Sequence, residues 1–158
     1  MRVEKIFAIL ATTAWSAPVL VRMWTAITKG ADIVFQAAGA TGLGVIEACQ
    51  EAGVYAIGVD SDQSSIAPDT VLTSAMKRVD NAVYEAVQEL IDGTLEGGVK
   101  SFDLAAGGVD IAPSQDLIAP EVITAVDEVK EKIISGEVVV PDDKESFEAK
   151  YGDVYQLD

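Results

Sequence analysis

The sequence predicts an α/β fold: a mainly parallel sheet with helices on both faces. Two observations predict it. From residue 30 onward, apolar runs of strand length alternate with helical stretches, and units alternating in this way wind into a parallel sheet through right-handed crossovers. The candidate strands also read as continuous apolar runs, as strands of a parallel sheet covered on both faces do.

Each element has its own justification. Residues 3–11 read as the first strand, feeding a helix over 18–29 that ends at Lys29-Gly30, a good stop signal. The same N-terminus also has the parts of a secretory signal: Arg2 and Lys5, the apolar run 6–11, and small residues over 14–17. Glu4 and the break at Thr12-Thr13 weigh against a signal, and the strand reading is preferred. A strand over 33–38 leads through Gly39-Ala40-Thr41-Gly42 into a helix over 42–52, closed by Gly53. A strand over 54–59 ends in Asp60-Ser61-Asp62, and a loop with Pro68 leads to a strand over 71–76. Val79, Ala82, Val83, Ala86, Val87, Leu90 and Ile91 then recur at the helical period, with Asp92-Gly93 as the stop. Residues 101–106 read as a short strand, and Gly107-Gly108 and Pro113 interrupt the stretch around 109–112. A last helix over 120–135 lines Val122, Ala125, Val126, Val129 and Ile133 on one face and stops at Gly136. A short strand over 138–140 ends at Pro141. The expected organisation is one α/β lobe over 1–141 and a loosely held acidic tail over 142–158.

Composition sets the bounds. A chain of 158 residues, 49% hydrophobic, has the size and apolar content of one domain. Its net charge of -15 argues against nucleic-acid binding, which needs a basic footprint. The chain has no His, which removes the commonest general base and metal ligand. The single Cys, Cys49, falls inside a helical pattern and reads as a small buried hydrophobe. No run reaches the roughly 20 apolar residues of a membrane-spanning helix.

The chemistry concentrates at the carboxyl ends of the strands, where open α/β sheets bind ligands. Gly39, Gly42 and Gly44 do not fit G-x-G-x-x-G, and no Lys follows as in a phosphate loop. They form either a loop that a ligand can approach closely or simply a tight strand-to-helix turn. Asp60 and Asp62 follow a strand, where a carboxylate can accept two hydrogen bonds from a vicinal diol; the alternative is capping or an Asx turn. Lys77, at the end of the next strand, is either a surface lysine or a partner of Asp60 that donates to a hydroxyl. Trp15 can stack on a planar or sugar ligand or pack in the core. No nucleophile–base pair, paired acids or metal-ligand spacing is visible, so catalysis, cofactor and metal are not expected.

Three motifs, FQAAG, GVDSDQ and SAMKRVD, occur together between residues 35 and 80. In this combination the chain resembles the basic membrane protein family of substrate-binding lipoproteins, the purine nucleoside receptor type, from Gly30 to Pro141. The resemblance implies the second lobe of a type I periplasmic binding protein, truncated because a family member is about twice this long. It implies purine nucleoside capture between two lobes for an ABC importer, with a permease as partner and the cell envelope as location. Carried over, Asp60 of GVDSDQ and Lys77 of SAMKRVD would hold the ribose hydroxyls, and Gly39 of FQAAG would lie against the ligand. Trp15 in TTAWSAP would match an aromatic in a Gly-Ser-Trp/Phe-x-Asp-Pro pattern, whose Gly and Asp are absent here. The lipobox Cys and the first lobe, which reads the base, are also missing. The chain would then be a truncated product, an excised lobe, or half of a receptor completed by a separate first lobe or a second copy. The apolar faces of the helices over 79–91 and 120–135 would stand exposed. The alternative function is a cytosolic regulatory or sensor protein using the same lobe for a ligand or partner.

Overall fold

The computed structural model describes residues 6–10 and 17–152. The chain divides into two compact units, residues 1–119 and 120–158.

The first unit is built on a five-stranded sheet in the order β1-β2-β3-β4-β5: β1 (Ile6–Leu10), β2 (Ile33–Ala37), β3 (Tyr55–Asp60), β4 (Val71–Lys77) and β5 (Val109–Ile111). The first four strands are parallel and in sequence order; β5 runs antiparallel to β4, pairing Val109 with Lys77. The mainly parallel sheet read from the sequence is thus present, with one antiparallel strand at its edge.

Helix α1 (Ala17–Thr28) joins β1 to β2, and α2 (Gly42–Ala52) joins β2 to β3. Two crossovers of the same hand lay both helices on one face, and they pack on each other. Their apolar sides meet the sheet in one core. Met23 of α1 and Val45, Ile46, Ala48 and Cys49 of α2 pack with Val34, Ala56 and Val71. Val34, Val45 and Ile46 are 0% exposed, and each such side chain contributes roughly 1.5–3 kcal/mol by leaving water. Burial pushes the Cys49 thiol up to about 11, as expected of a small buried hydrophobe. Gly53 ends α2 in the left-handed conformation, its N–H donating to the Cys49 and Gln50 carbonyls. Between β3 and β4 the register slips by one residue, so Ala56 faces Val71 but Ile57 faces Thr73. Leu72 is the extra residue, which explains two adjacent buried side chains in β4.

After β4 comes α3 (Val79–Asp92), none of whose residues is fully buried. Its apolar stripe is open, with Val79 62%, Leu90 65% and Ile91 73% exposed. The second unit contains α4 (Pro120–Ile134) and α5 (Lys144–Tyr151). Val122, Val126 and Val129 of α4 are also exposed. Both helices therefore carry exposed apolar faces, as the sequence led one to expect.

Three local expectations fail. Residues 101–106 form turns instead of a strand, because the Asp103 side chain accepts from Ala106 N–H and its carbonyl from Gly108 N–H. Residues 138–140 form no strand either. Val138 N–H is spent on the Lys132 carbonyl at the end of α4, and Val139 offers its carbonyl to Lys150 Nζ at 2.8 Å. The segment expected to be a loose tail carries α5, started by a capping box in which Asp143 accepts from Ser146 N–H at 2.7 Å.

Candidate functional site

The carboxyl ends of β2, β3 and β4 lie side by side, and each ends in a residue singled out from the sequence. β2 runs into a 3₁₀ turn at Gly39–Thr41. Gly39 has φ +55°, and a Cβ added there would meet nothing within 4 Å, so the backbone is open to a visitor. β3 ends at Asp60, and β4 one residue past its register partner, at Lys77. Lys77 Nζ and Asp60 Oδ1 are 3.0 Å apart, with both side chains mostly exposed. The pair anticipated between neighbouring strand ends is therefore formed. Trp15 lies outside the described residues.

Asp60 carries a further feature. Its φ is +68°, the sole positive value at a non-glycine among the described residues. Ser61 N–H donates to the Val59 carbonyl at 2.8 Å, closing a three-residue turn centred on Asp60. Such backbone conformations persist when the surroundings enforce them, and they concentrate at functional sites.

Asp62 behaves differently. One carboxylate oxygen accepts from Ser64 N–H at 3.0 Å and the other from the Ser114 hydroxyl at 2.6 Å. The Ser114 hydroxyl, then the Ser64 N–H, hold this carboxyl below its usual range. Asp62 thus makes the Asx-type turn that was the alternative for both acids, and it pins the loop after β5 to the loop after β3.

The SAMKRVD motif divides its work in the same way. Lys77 faces the strand ends. Arg78 donates from Nε and an Nη to Asp80, at 3.0 and 2.8 Å, and Asn81 reaches the Gly107 carbonyl at 2.9 Å. These residues fasten the start of α3 to the turn before β5.

Sequence reasoning missed a polar group beneath the site. Gln36, in the middle of an apolar strand, is 0% exposed, as is Ser74. Gln36 Nε2 donates to Gln63 Oε1 at 2.8 Å, and Gln63 N–H donates to Ser74 Oγ at 3.1 Å. An amide inside the run IVFQA was the available signal, since buried polar groups need partners. Gly42 also gains a reason. A Cβ there would lie 2.1 Å from Gln36 Oε1, so this glycine serves packing, whereas Gly39 faces open space.

The family model described as "ABC transporter substrate-binding protein PnrA-like" matches residues 24–144. Basic membrane protein D of Borreliella burgdorferi is 38% identical over 125 residues, covering 75% of this chain and 37% of that protein. Basic membrane protein A of the same species is 40% identical over 121 residues, covering 74% and 36%. The chain thus spans little more than a third of the length of these relatives. Among solved structures, an ABC transporter solute-binding protein from Aeropyrum pernix aligns with TM-score 0.67 and 26% identity, over 82% of this chain and 46% of that one. A transcriptional activator of the comK gene from Bacillus halodurans shares the fold, with TM-score 0.76 and 18% identity over 86% and 58%. With a family model over most of its length and relatives near 40% identity, this chain belongs to the basic membrane protein family of PnrA-like ABC transporter substrate-binding proteins.

Proposed function

We propose that this chain is the second lobe of a receptor that captures a purine nucleoside for an ABC importer at the cell envelope. The observation that carries the reading is the Asp60–Lys77 pair, 3.0 Å apart at adjacent strand ends beside the open backbone of Gly39. A carboxylate accepts from both hydroxyls of a ribose diol, while an ammonium donates to one of them. Gly39, with no side chain, lets the ligand rest on the main chain. The task is binding and needs no chemistry. Tight small-molecule sites bury about 70–90% of the ligand, so one lobe alone offers half a cleft and weak affinity. The other lobe comes from the remaining length of a longer chain or from a separate one. The exposed stripe of α3 fits a surface that such a lobe covers.

Shift perturbation in a ¹⁵N-labelled sample tests weak binding directly. Guanosine, inosine or adenosine is expected to move the Gly39, Asp60 and Lys77 amides saturably. Asp60→Ala and a 2′,3′-dideoxynucleoside should each abolish the effect. A folded chain whose amides stay still at millimolar nucleoside, or move equally with the dideoxy analogue, refutes the reading.

A further inference from the structure

We infer that Gln36 and Gln63 are positioning residues: an amide tie, anchored on the buried Gln36, that holds the strand ends carrying Gly39, Asp60 and Lys77. The inference rests on the reading of those three residues as ligand contacts.

The tie spans three strands. Gln36 belongs to β2, three residues before Gly39, and its Oε1 accepts from Ala38 N–H at 3.2 Å. Its Nε2 donates to Gln63 Oε1 at 2.8 Å. The same oxygen accepts from Val59 N–H at 3.0 Å, on β3 immediately before Asp60. Gln63 N–H donates to Ser74 Oγ at 3.1 Å, on β4 three residues before Lys77. One amide oxygen therefore joins β2 to β3, and the same residue's backbone joins both to β4.

The tie also acts on the strained residue. Val59 is gripped at both ends: its N–H by Gln63 Oε1 and its carbonyl by Ser61 N–H. Between these two bonds the chain turns through Asp60 at φ +68°. The conformation that aims Asp60 at Lys77 is thus enforced from below. Two glycines make room for it. A Cβ on Gly42 would lie 2.1 Å from Gln36 Oε1, and one on Gly58 would lie 2.5 Å from Ser74 Oγ and 2.6 Å from Gln63 Oε1.

The hydrogen-bond directions give a discriminating experiment. The bonds from Gln36 Nε2 and Val59 N–H both use the oxygen of the Gln63 side chain, so Gln63→Glu keeps them. Gln36→Glu adds the same charge by the same one-group change, but it removes the donor and sets two oxygens against each other. Hydrogen exchange at Val59, the Asp60–Lys77 separation in crystal structures of the variants, and guanosine affinity are the readouts. Gln63→Glu should leave all three near the parent values. Gln36→Glu should speed Val59 exchange and weaken guanosine by about tenfold or more, with the Val45 and Ile46 amides of α2 still protected. Should Gln36→Glu fail to fold, Gln63→Met at the less buried position removes the shared acceptor and should act alike. Unchanged Val59 exchange and Asp60–Lys77 separation in the donor-lacking variant overturn the tie, and so do equal losses in both Glu variants. If the parent chain binds no nucleoside, the functional reading fails, while exchange and separation still decide whether the tie positions the pair.

Discussion

Replacing Asp60 by glycine and by alanine should give stabilities in the order opposite to that of an ordinary loop position. At φ +68° a residue with a Cβ bears a left-handed backbone, which costs about 1–2 kcal/mol. Aspartate tolerates it better than alanine. Glycine bears no such cost but gives up roughly 0.5–1 kcal/mol through its freer unfolded chain. The Lys77 pair, with side chains 71% and 56% exposed, contributes at most about 1 kcal/mol, and both variants lose it equally. The difference leaves Asp60→Gly more stable than Asp60→Ala by about 0.5–1 kcal/mol. With a urea slope of about 1.5 kcal/mol/M, the midpoints should differ by roughly 0.3–0.7 M. Urea unfolding followed by circular dichroism and by tryptophan fluorescence, with coincident curves, measures it. An alanine variant as stable as the glycine variant, or more so, would refute the claim that Asp60 is held in a costly conformation. Both variants should lose nucleoside binding, which would make Asp60 a residue kept for a ligand.

Two further predictions concern pH. The folded-state pKa of Cys49 is raised from 9.0 to about 11, so the unfolded chain loses this proton first and stability falls between those values, by about 2–3 kcal/mol. Urea midpoints from pH 8 to 11 should show that slope in the parent and a shallower one in Cys49→Ala; equal slopes would sink the assignment. Asp62 is the opposite case, its carboxyl held below 3.8 first by the Ser114 hydroxyl, so its contribution is present above that pH and fades as acid protonates it. Ser114→Ala should therefore be less stable than the parent at pH 7, with the gap narrowing at pH 2–3. A gap that ignores pH would show that the hydroxyl stabilises by packing alone.

Legibility in the sequence followed the range of the interactions. The strands over 33–38, 54–59 and 71–76 and the helices over 42–52 and 79–91 were readable because period and glycine stops are local signals, and the structure matches them within a residue or two. The missing strand at 101–106 came from apolar residues whose backbone is spent on an Asp103 turn. The helix in the tail was signalled by Asp143 and Ser146 three apart, a pattern hidden by the acidic composition around it. At the site, Gly39, Asp60 and Lys77 were legible as residues that end strands. The Asp60–Lys77 pairing was legible as one of two alternatives, but the role of Asp62 was not, because it depends on Ser114, 52 residues away and beyond any local rule. The amide tie was half legible: Gln36 announced an unmet need inside an apolar run, but only the fold names Gln63 and Ser74 as what meets it.

Folding alone gives this chain little reason to keep Asp60 as it is. The sheet would pair as well with a glycine at the end of β3, and an exposed ion pair is a weak stabiliser. Yet the turn is closed by Ser61 and gripped through Val59 by the Gln63 side chain, which in turn is held by the Gln36 amide, itself 0% exposed. Rigidity of that order beneath a solvent-facing carboxylate has a use when a ligand must be met in a fixed geometry, because ordering the site beforehand lowers the entropy cost of binding. The open stripe on α3 concerns a different surface. Val79, Val83, Val87, Leu90 and Ile91 follow the spacing of a helix face made to be covered, and each is at least half exposed. A lobe can carry a finished half-site and still lack the surface that closes over it. On the proposed reading the two features belong together: braced strand ends would meet a ligand, and the uncovered helix would meet another lobe.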